Sequence, residues 1–372
     1  MQTDPLQKII EEFEIVGTPQ HIAPFGSGHI NDTYKVEMTA PHAAFILQRI
    51  NHHVFPDVDA LMSNMVLVTR HIAQRNEANR LSGQSHFPFV LRFIPTKSGQ
   101  YYVRDAKNNR WRLMPFIPNA VSYDQVETIQ QAVEGGRAFG KFHSLLGDLD
   151  PQSIQEVIPH FHHIGHRLEQ LKRAIASDPC QRLADVQDEI RFIQEKSSVM
   201  MGVLQKADQG LIPKRILHND TKFNNILFDQ HGEALCVIDL DTVMPGYLAY
   251  DFGDAIRSII NTAAEDAPDL DRIGLNIPLF RAYSTGYFSE MGSKLTDEEI
   301  DSLMDGVRLL PYMQAVRFLT DYLLGDAYFK IQHPHHNLQR TRAQLRLVRE
   351  LGSAEKELRC ILVEQKNLSR IR

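Results

Sequence analysis

The chain has 372 residues, of which 43% are hydrophobic and 23% are charged, as is usual for globular proteins. A formal net charge of −6 gives no support to binding of nucleic acid or of an acidic membrane through bulk charge. The three cysteines lie far apart and form no C-x-x-C pair, which argues against a disulfide framework or a thiolate zinc site. No signal peptide and no apolar stretch of about 18 residues is recognisable, so we expect a cytoplasmic protein without a membrane segment. Nothing in the composition indicates an obligate protein partner.

The first part of the chain predicts a small, mainly antiparallel sheet with one main helix. A helix is expected at 57–76, because Leu61, Met65, Val68 and Ile72 recur at helical spacing. Turn residues separate the apolar runs that we expect to be strands. A further short helix is expected at 6–16, and the strands are expected at 20–25, 33–38, 43–50, 89–94, 101–104 and 111–115.

Beyond Pro118 the pattern becomes mostly helical. Helices are expected at 123–146, at two or three places within 161–208, at 250–262, 278–290 and 297–331, and as a pair within 337–368, with a strand-rich patch at 215–240. The sequence therefore predicts an α+β, bilobal protein. A nucleotide-binding lobe at 1–117 would join a larger helical lobe at 118–372 through a hinge near 114–119.

A polar loop followed by a hairpin carries the most informative residues. The loop runs from His218 to Asn225, and a short strand, a turn and a second strand follow it before Asp239. The hairpin brings Asp239 back beside Asp220 and Asn225. Two carboxylates and an amide oxygen suit Mg²⁺, which prefers oxygen ligands, and phosphoryl transfer also needs an acceptor for a hydroxyl proton.

This pattern resembles the catalytic and metal motifs of the aminoglycoside phosphotransferase and choline kinase superfamily, whose members are relatives of protein kinases. The resemblance rests on His-x-Asp-x-x-x-x-Asn at 218–225 and on the Ile-Asp that ends at Asp239. It implies a protein-kinase-like fold with ATP as phosphoryl donor. It also implies that Asp220 is the catalytic base, that Asn225 and Asp239 bind Mg²⁺, and that His218 braces the loop.

Longer strings are similar to the N-acetylhexosamine 1-kinases within that superfamily. These strings lie at 26–34, 48–51, 236–246, 250–254 and 316–322. The resemblance implies that N-acetylglucosamine or N-acetylgalactosamine is phosphorylated at its anomeric C1 hydroxyl. Asp251, near the start of a predicted helix, is interpreted as structural, because a carboxylate there can accept free N–H groups.

Two alternatives remain open from the residues themselves. One is a kinase of another small alcohol, such as homoserine, a choline-like amino alcohol, an aminoglycoside or methylthioribose. The other is a catalytically inactive, kinase-like binding module. Cationic acceptors usually need an acidic, aromatic-lined pocket, whereas the helical lobe offers Arg317 and lacks tryptophan.

The nucleotide side is less regular than in protein kinases. Gly26, Ser27 and Gly28 can let the backbone approach a phosphate, although the full G-x-G-x-x-G is absent. Protein kinases pair a lysine on the third strand with a glutamate on the next helix. Here Gln48 takes the lysine position, Arg49 follows it, and no glutamate occurs between residues 39 and 76. Gln48 or Arg49 would therefore contact phosphate, and the hinge residues Met114 and Phe116 would hold adenine. The segment 135–142 nearly spells a Walker A loop but has helical periodicity, so we expect a helix there.

The acceptor side is predicted from helical spacing and from the resemblance. Arg317, Asp321 and Tyr328 share one face of a predicted helix, which by itself favours a solvated Arg–Asp pair. The resemblance instead implies that Arg317 and Tyr328 contact the sugar. Further candidates are His29, Asn31 and Asp241, the last because strand alternation would place it on the face of Asp239. The histidine-rich segments 160–166 and 333–336 lack the other ligands of familiar metal sites, so we expect solvated histidines.

Overall fold

A five-stranded antiparallel sheet forms the amino-terminal lobe of the computed structural model, which describes residues 5–26, 30–39 and 44–371. Its elements are α1 (Pro5–Ile10), β1 (Pro19–Pro24), β2 (Asp32–Met38), β3 (Ala44–Ile50), α2 (Val58–Leu81), β4 (Val103–Arg104) and β5 (Arg110–Pro115). The strand order is β1-β2-β3-β5-β4. The antiparallel sheet with one main helix is therefore confirmed.

The strand expected at 89–94 is wrong. Phe89 N donates to Leu235 O at 3.2 Å, and Ile94 N donates to Leu113 O at 2.9 Å. The segment thus bonds once to the helical lobe and once to the sheet, and forms no ladder with either. Leu91 and Phe93 of this segment are nevertheless buried, so the apolar run reflected burial and not strand pairing.

The two faces of the sheet pack against different partners because side chains alternate along each strand. Phe45 and Leu47 of β3 and Trp111 and Leu113 of β5 face a small core that includes Phe13. The opposite face turns toward α2 and the large core of the helical lobe. This second face is the one that can meet the catalytic loop.

The carboxy-terminal lobe is mostly helical, as expected. Its elements are α3 (Ile129–Leu145), α4 (Ile164–Ser177), α5 (Gln187–Met200), α6 (Gly202–Asp208), β6 (Arg215–Leu217), β7 (Ile226–Phe228), β8 (Ala234–Val237), β9 (Met244–Gly246), α7 (Leu248–Ile259), α8 (Ile277–Met291), α9 (Asp297–Leu323) and α10 (His336–Ile371). None of the helices in the described ranges is both long and apolar enough to cross a membrane.

Several helix boundaries differ from the expectation, among them the end of α1 at Ile10 in place of residue 16 and the start of α3 at Ile129 in place of residue 123. The pair expected within 337–368 is a single helix of 36 residues, α10. The helix expected to reach residue 331 ends at Leu323, and Gly325 follows it with a φ of 96°. A glycine in this left-handed conformation is a common way to end a helix, so Gly325 was the signal for the boundary.

Glycines allow α3 and α8 to touch along their backbones. The segment 135–142 lies inside α3, which confirms the helix expected there. A Cβ atom on Gly136 would lie 2.0 Å from Tyr283 O, and one on Gly286 would lie 1.9 Å from Val133 O. Any side chain at these positions would separate the two helices, since real Cβ atoms do not approach so closely.

We predict that Gly286→Ala lowers the free energy of unfolding by at least about 1–3 kcal/mol, the usual cost of overpacking a core. Gly352→Ala is the control, because Gly352 lies exposed within α10 and an added Cβ would meet nothing within 4 Å. Alanine there should stabilise the helix by about 0.5–1 kcal/mol. Urea unfolding of both variants measures the difference, and equal effects would contradict the close contact of α3 with α8.

Candidate active site

The β7–β8 hairpin places Asp239 beside the loop at 218–225. The strands pair with Ile226 opposite Val237, and Ile238 N donates to Asn225 O at 2.9 Å. The chain therefore returns to the loop at the point where Asp239 begins. This is the arrangement that the loop and hairpin pattern predicts.

A buried carboxylate on α7 fixes the backbone of this loop. Asp251 accepts hydrogen bonds from His218 N at 2.7 Å and from Asn219 N at 2.8 Å. Its Oδ2 atom also lies 2.8 Å from Nε2 of His143, and Thr221 Oγ1 donates to the Asp251 carbonyl at 2.6 Å. Asp251 is structural, as its place in the sequence suggested, but it binds N–H groups of the loop and not those of its own helix.

The buried imidazole of His218 ties the loop to the end of the hairpin. Its Nε2 atom lies 2.8 Å from Ile238 O, and its Nδ1 atom accepts from Asp220 N at 3.3 Å. These two partners assign the proton to Nε2, which leaves Nδ1 as the acceptor. Asn219, with a φ of 63°, donates to Thr242 O at 2.9 Å. The contacts of His218 and Asn219 hold the loop at 218–225 against the segment 238–242.

Asp220 lies at the cleft with two side-chain donors on its carboxylate. Lys222 Nζ is 2.8 Å from Oδ1, and Asn225 Nδ2 is 3.2 Å from Oδ2. Asn225 Nδ2 also donates to Asp220 O at 2.8 Å, which orients the amide. The Oδ1 atom of Asn225 then has no donor among the described residues. Lys222 is a cation that the sequence reasoning missed, although its position two residues after Asp220 was a usable signal.

The carboxylate of Asp239 has neither a hydrogen bond nor an ion pair within the described ranges. The residue is exposed on the cleft side, although the protein packed around it removes much of the surrounding water. Burial raises the pKa of Asp239 to about 7, and the neighbouring carboxylates of Asp241 and Asp220 add to the rise. A cation at this point would relieve both effects.

These donors fit a magnesium ion by their chemistry. Asp239 offers carboxylate oxygens and Asn225 offers a free amide oxygen, and Mg²⁺ commonly takes one or two protein carboxylates together with phosphate oxygens. Within residues 5–26, 30–39 and 44–371, no three His, Cys, Asp or Glu side chains are placed to hold a metal together, so an ion here would depend on Asp239, the amide oxygen of Asn225 and phosphate oxygens.

Strand alternation predicted that Asp241 would lie on the same face as Asp239, and this expectation is wrong. The strand β8 ends at Val237, Asp239 has a left-handed φ of 58°, and residues 240–242 form a 3-10 turn. The turn directs Asp241 into the protein, where Arg112 Nη1 lies 2.5 Å from Oδ1. Asn31 Nδ2 donates to Oδ2 of the same carboxylate, also at 2.5 Å.

The nucleotide-side candidates separate into three groups. Gln48 faces the cleft, but its amide is bonded to Thr33 and Arg112. Arg49 lies on the opposite face of β3, where it forms an ion pair with Asp32 across the strand pair. The structure therefore does not bring Arg49 to the cleft. Gly26 has a φ of 80° with open space around its Cα, whereas Ser27, Gly28 and His29 lie outside the described residues.

The hinge strand ends in an aromatic cluster on the cleft side. Met114 of β5 is buried and pairs with Ile46. The ring of Phe116 contacts that of Phe25 edge-on, with centroids 5.7 Å apart, and Lys35 Nζ lies 4.8 Å from its centroid. Phe25 and Lys35 were not identified from the sequence. Their positions, just after β1 for Phe25 and on β2 for Lys35, could be recognised only once the strand register was known.

Arg317 lies among aromatic rings near the end of α9. Its guanidinium carbon is 5.7 Å from the ring centroid of Phe161 and 5.9 Å from that of Tyr328. Tyr328 is exposed and lies beyond the end of α9, so the shared helical face predicted for it is wrong. Asp321 does not reach the cleft either. Its buried carboxylate accepts the N–H groups of Tyr328 and Phe329, and this contact holds Tyr328 near Arg317.

A second arginine adjoins Arg317. Arg167 Nη2 donates to Phe161 O at 2.9 Å, while its Nε is buried without a hydrogen-bond partner. Burial lowers the pKa of Arg167 to about 10, and the charge of Arg317 adds to this effect. Neither arginine forms an ion pair with a carboxylate in the described ranges. The two guanidinium charges therefore lie close together without a carboxylate counter-ion in the described ranges.

The histidine-rich segments are less solvated than expected. His162 is buried, and its Nε2 lies 3.2 Å from Asn219 O, so it braces the loop that carries Asp220. His336 is buried as well and lies 2.9 Å from Asp266 Oδ2. The expectation of solvated histidines is wrong for both, because spacing alone does not show which side of a segment is packed.

Comparison with known proteins identifies the family. A model described as the phosphotransferase enzyme family, APH, matches residues 21–287. The chain belongs to this family.

Three solved structures resemble the chain. An aminoglycoside phosphotransferase structure from Alicyclobacillus acidocaldarius has a TM-score of 0.53 and 13% identity, with 98% of this chain and 96% of that chain covered. A putative aminoglycoside phosphotransferase from Ralstonia eutropha has a TM-score of 0.55 and 15% identity, with 95% of this chain and 98% of that chain covered. Choline kinase from Cryptosporidium parvum has a TM-score of 0.54 and 14% identity, with 91% of this chain and 90% of that chain covered.

The phosphotransferase assignment agrees with the fold and with the loop at 218–225. At such low identities the three structures support the kinase-like fold and carry no information on the acceptor. The bilobal α+β architecture expected from the sequence is thereby confirmed.

We predict that Asp251→Asn lowers the free energy of unfolding by about 1–3 kcal/mol and removes most turnover. The asparagine amide would point its own N–H group at a backbone N–H donor of the loop, so one hydrogen bond would be lost. The backbone around Asp220 would then lose its support. Urea unfolding and ADP release measure the two effects. Asp229→Asn is the control, because Asp229 only accepts N–H groups in the exposed β7–β8 turn, a role that asparagine also fills. Wild-type stability in Asp251→Asn would contradict the bracing role.

Proposed function

We propose that the protein transfers the γ-phosphoryl group of ATP to the anomeric C1 hydroxyl of an N-acetylhexosamine, N-acetylglucosamine or N-acetylgalactosamine. The observation that carries the proposal is the meeting of Asp220, Asn225 and the unpartnered carboxylate of Asp239 at one cleft. A base for the hydroxyl proton and oxygen ligands for a metal are the parts that phosphoryl transfer requires. The same set opposes the alternative of an inactive binding module.

Asp220 would orient the acceptor hydroxyl and take its proton. The oxygen then forms a bond to the γ-phosphorus, while the bond from that phosphorus to the β–γ bridging oxygen breaks and ADP leaves with the electron pair. An anomeric hydroxyl is more acidic than the other hydroxyls of a sugar, so a carboxylate suffices as the base. Lys222 and Asn225 hold the carboxylate of Asp220 in place during this transfer.

Asn225 and Asp239 would hold Mg²⁺, which when bound neutralises charge on the transferring phosphates. Their free oxygens face the same cleft, and His218 fixes the spacing between the loop and the end of the hairpin. The turn at Gly26–Gly28 would cover the phosphates. Adenine would lie against the hinge at Met114 and Phe116, where Phe25 adds an aromatic surface.

The charge at the acceptor end favours a neutral or anionic acceptor. Arg317 and Arg167 both contact Phe161, and neither has a carboxylate counter-ion in the described ranges. Phe161 precedes His162, which contacts the loop of Asp220, so the two arginines lie on the acceptor side. A choline-like or aminoglycoside acceptor would meet like charge there, which opposes its binding.

An N-acetylated hexose is the neutral acceptor that the sequence resemblance favours. Arg317 offers N–H donors for hydroxyl or acetamido oxygens, and Tyr328 offers a hydroxyl and an aromatic face. His29, which lies outside the described residues, is a further candidate contact of the acceptor from the sequence alone.

The first experiment incubates the protein with ATP, Mg²⁺ and a panel of acceptors, and measures ADP release. The panel contains the two N-acetylhexosamines, homoserine, choline, an aminoglycoside and methylthioribose. We expect release with an N-acetylhexosamine, with a product phosphate that is stable to alkali and labile to acid. The cationic acceptors should give kcat/KM values lower by at least about 100-fold, because the arginines repel them. Release with another acceptor alone would overturn the substrate, and no release at all would favour the binding module.

We predict that Asp220→Asn lowers kcat by at least about 100-fold, the lower range of contributions from general acid–base catalysis. The KM values for ATP and for the sugar should change little, because the amide preserves size and most contacts. The Asp229→Asn control should retain wild-type kinetics. Comparable activity in Asp220→Asn would remove Asp220 from the role of base.

A further inference from the structure

Arg112 of β5 and Asp241 form the most enclosed ion pair that links the two lobes in the described ranges. Their side chains are 2% and 3% exposed, and the contact is bidentate, with Nη1–Oδ1 at 2.5 Å and Nη2–Oδ2 at 3.0 Å. Arg112 belongs to the sheet, whereas Asp241 follows the hairpin of the helical lobe. The pair therefore crosses the cleft between the lobes.

All five N–H groups of Arg112 have a partner. Gln48 Oε1 accepts from Nε at 3.0 Å and from Nη2 at 2.7 Å. Met65 Sδ on α2 lies 3.1 Å from Nη1, and the carboxylate of Asp241 takes the remaining two. A buried guanidinium with complete partners has one defined position. Gln48, at the position where protein kinases carry a lysine, thus serves to hold Arg112.

Asp241 collects a second contact from the sheet lobe. Asn31 Nδ2 donates to its Oδ2, and Asn31 Oδ1 accepts from Asn51 N at 2.9 Å. Asn31 lies directly before β2. One carboxylate thereby connects β5, β3 through Gln48, and the start of β2. Asp241 lies only two residues after Asp239.

We propose that Arg112 is a positioning residue that replaces the missing lysine–glutamate pair and couples closure of the sheet lobe to the placement of Asp239. The lysine–glutamate pair of protein kinases joins two elements of the sheet lobe, whereas this pair joins the sheet lobe to the turn that bears the metal ligand. Asn31 and Asp241, which the sequence suggested as sugar contacts, belong to this coupling. The proposal rests on ATP as the donor in the proposed function and does not depend on the acceptor.

The net free energy of a buried ion pair is small enough for the contact to form and break reversibly. Both charges lose water when the pair is buried, and this cost offsets much of their attraction. When the lobes separate, both charges regain water, so the closed form is favoured by less than the short distances suggest. The contact therefore specifies one geometry of closure without preventing nucleotide exchange.

The test compares Arg112→Met, Asp241→Asn and the double variant with wild type. Each single change leaves a buried group without its partner and should lower the melting temperature. The double variant removes both charges and should recover most of that loss, because a buried pair can be replaced at little cost to stability. Arg112→Lys keeps the charge but lacks the planar fork, so it should restore function only in part.

Hydrogen exchange of the protein without nucleotide reports the position of the turn directly. Ile238 N donates to Asn225 O and Val243 N donates to Leu240 O, so their amides flank Asp239 and Asp241. We expect a peptide spanning 236–246 to exchange at least about tenfold faster in both single variants and in the double variant, because local opening becomes easier. The KM for ATP with Mg²⁺ should rise by at least about tenfold in all three.

Arg308→Met is the matched control. Arg308 is largely buried and forms ion pairs with Asp305 and Glu355, all within α9 and α10. It should lower the melting temperature while leaving exchange at 236–246 and the KM for ATP unchanged. A double variant with wild-type exchange and wild-type kinetics would overturn the proposal and leave the pair a packing contact. If no acceptor is phosphorylated at all, the proposed function fails, but the exchange result still decides whether Arg112 positions the turn.

Discussion

The site depends on the buried carboxylate of Asp251, which accepts two backbone N–H groups from the loop that carries Asp220. A carboxylate can do this because its two oxygens accept several donors at once, and low polarity around it strengthens each bond. The loop has too few internal bonds to define its own shape, so it takes its shape from α7. The close contact of α3 with α8 then keeps His143, the third partner of Asp251, at a fixed distance.

Charge is distributed unequally between two regions of the helical lobe. Three carboxylates, those of Asp220, Asp239 and Asp241, gather where the loop meets the hairpin, and Arg112 and Lys222 balance them only in part. Near Phe161 the cations Arg167 and Arg317 lack such partners in the described ranges. In the proposed function the first region would hold a metal and the second would favour a ligand without positive charge, and the two preferences arise from separate elements.

Much of the fold and the central motif could be predicted from the sequence, because both depend on local patterns. The loop with Asp220 and Asn225 and the hairpin to Asp239 are contiguous, so their spacing is enough to bring them together. Contacts between the two lobes join residues that are far apart in the sequence, so no local pattern predicts them. Arg112 and Asp241 are 129 residues apart, and only the register of β3 with β5 reveals that Gln48 and Arg112 are neighbours. Strand alternation also failed at Asp241, since the backbone leaves the strand before that residue.

The left-handed backbone of Asp239 places two separate demands on one position. Few residues other than glycine tolerate a φ of 58°, and asparagine and aspartate are the usual exceptions. The proposed magnesium site also requires an anionic side chain there. Glycine would satisfy the backbone and lose the ligand, while glutamate would keep the charge and disfavour the conformation. Aspartate is the one amino acid that meets both demands, so tolerance to substitution at this residue is limited by conformation as well as by chemistry.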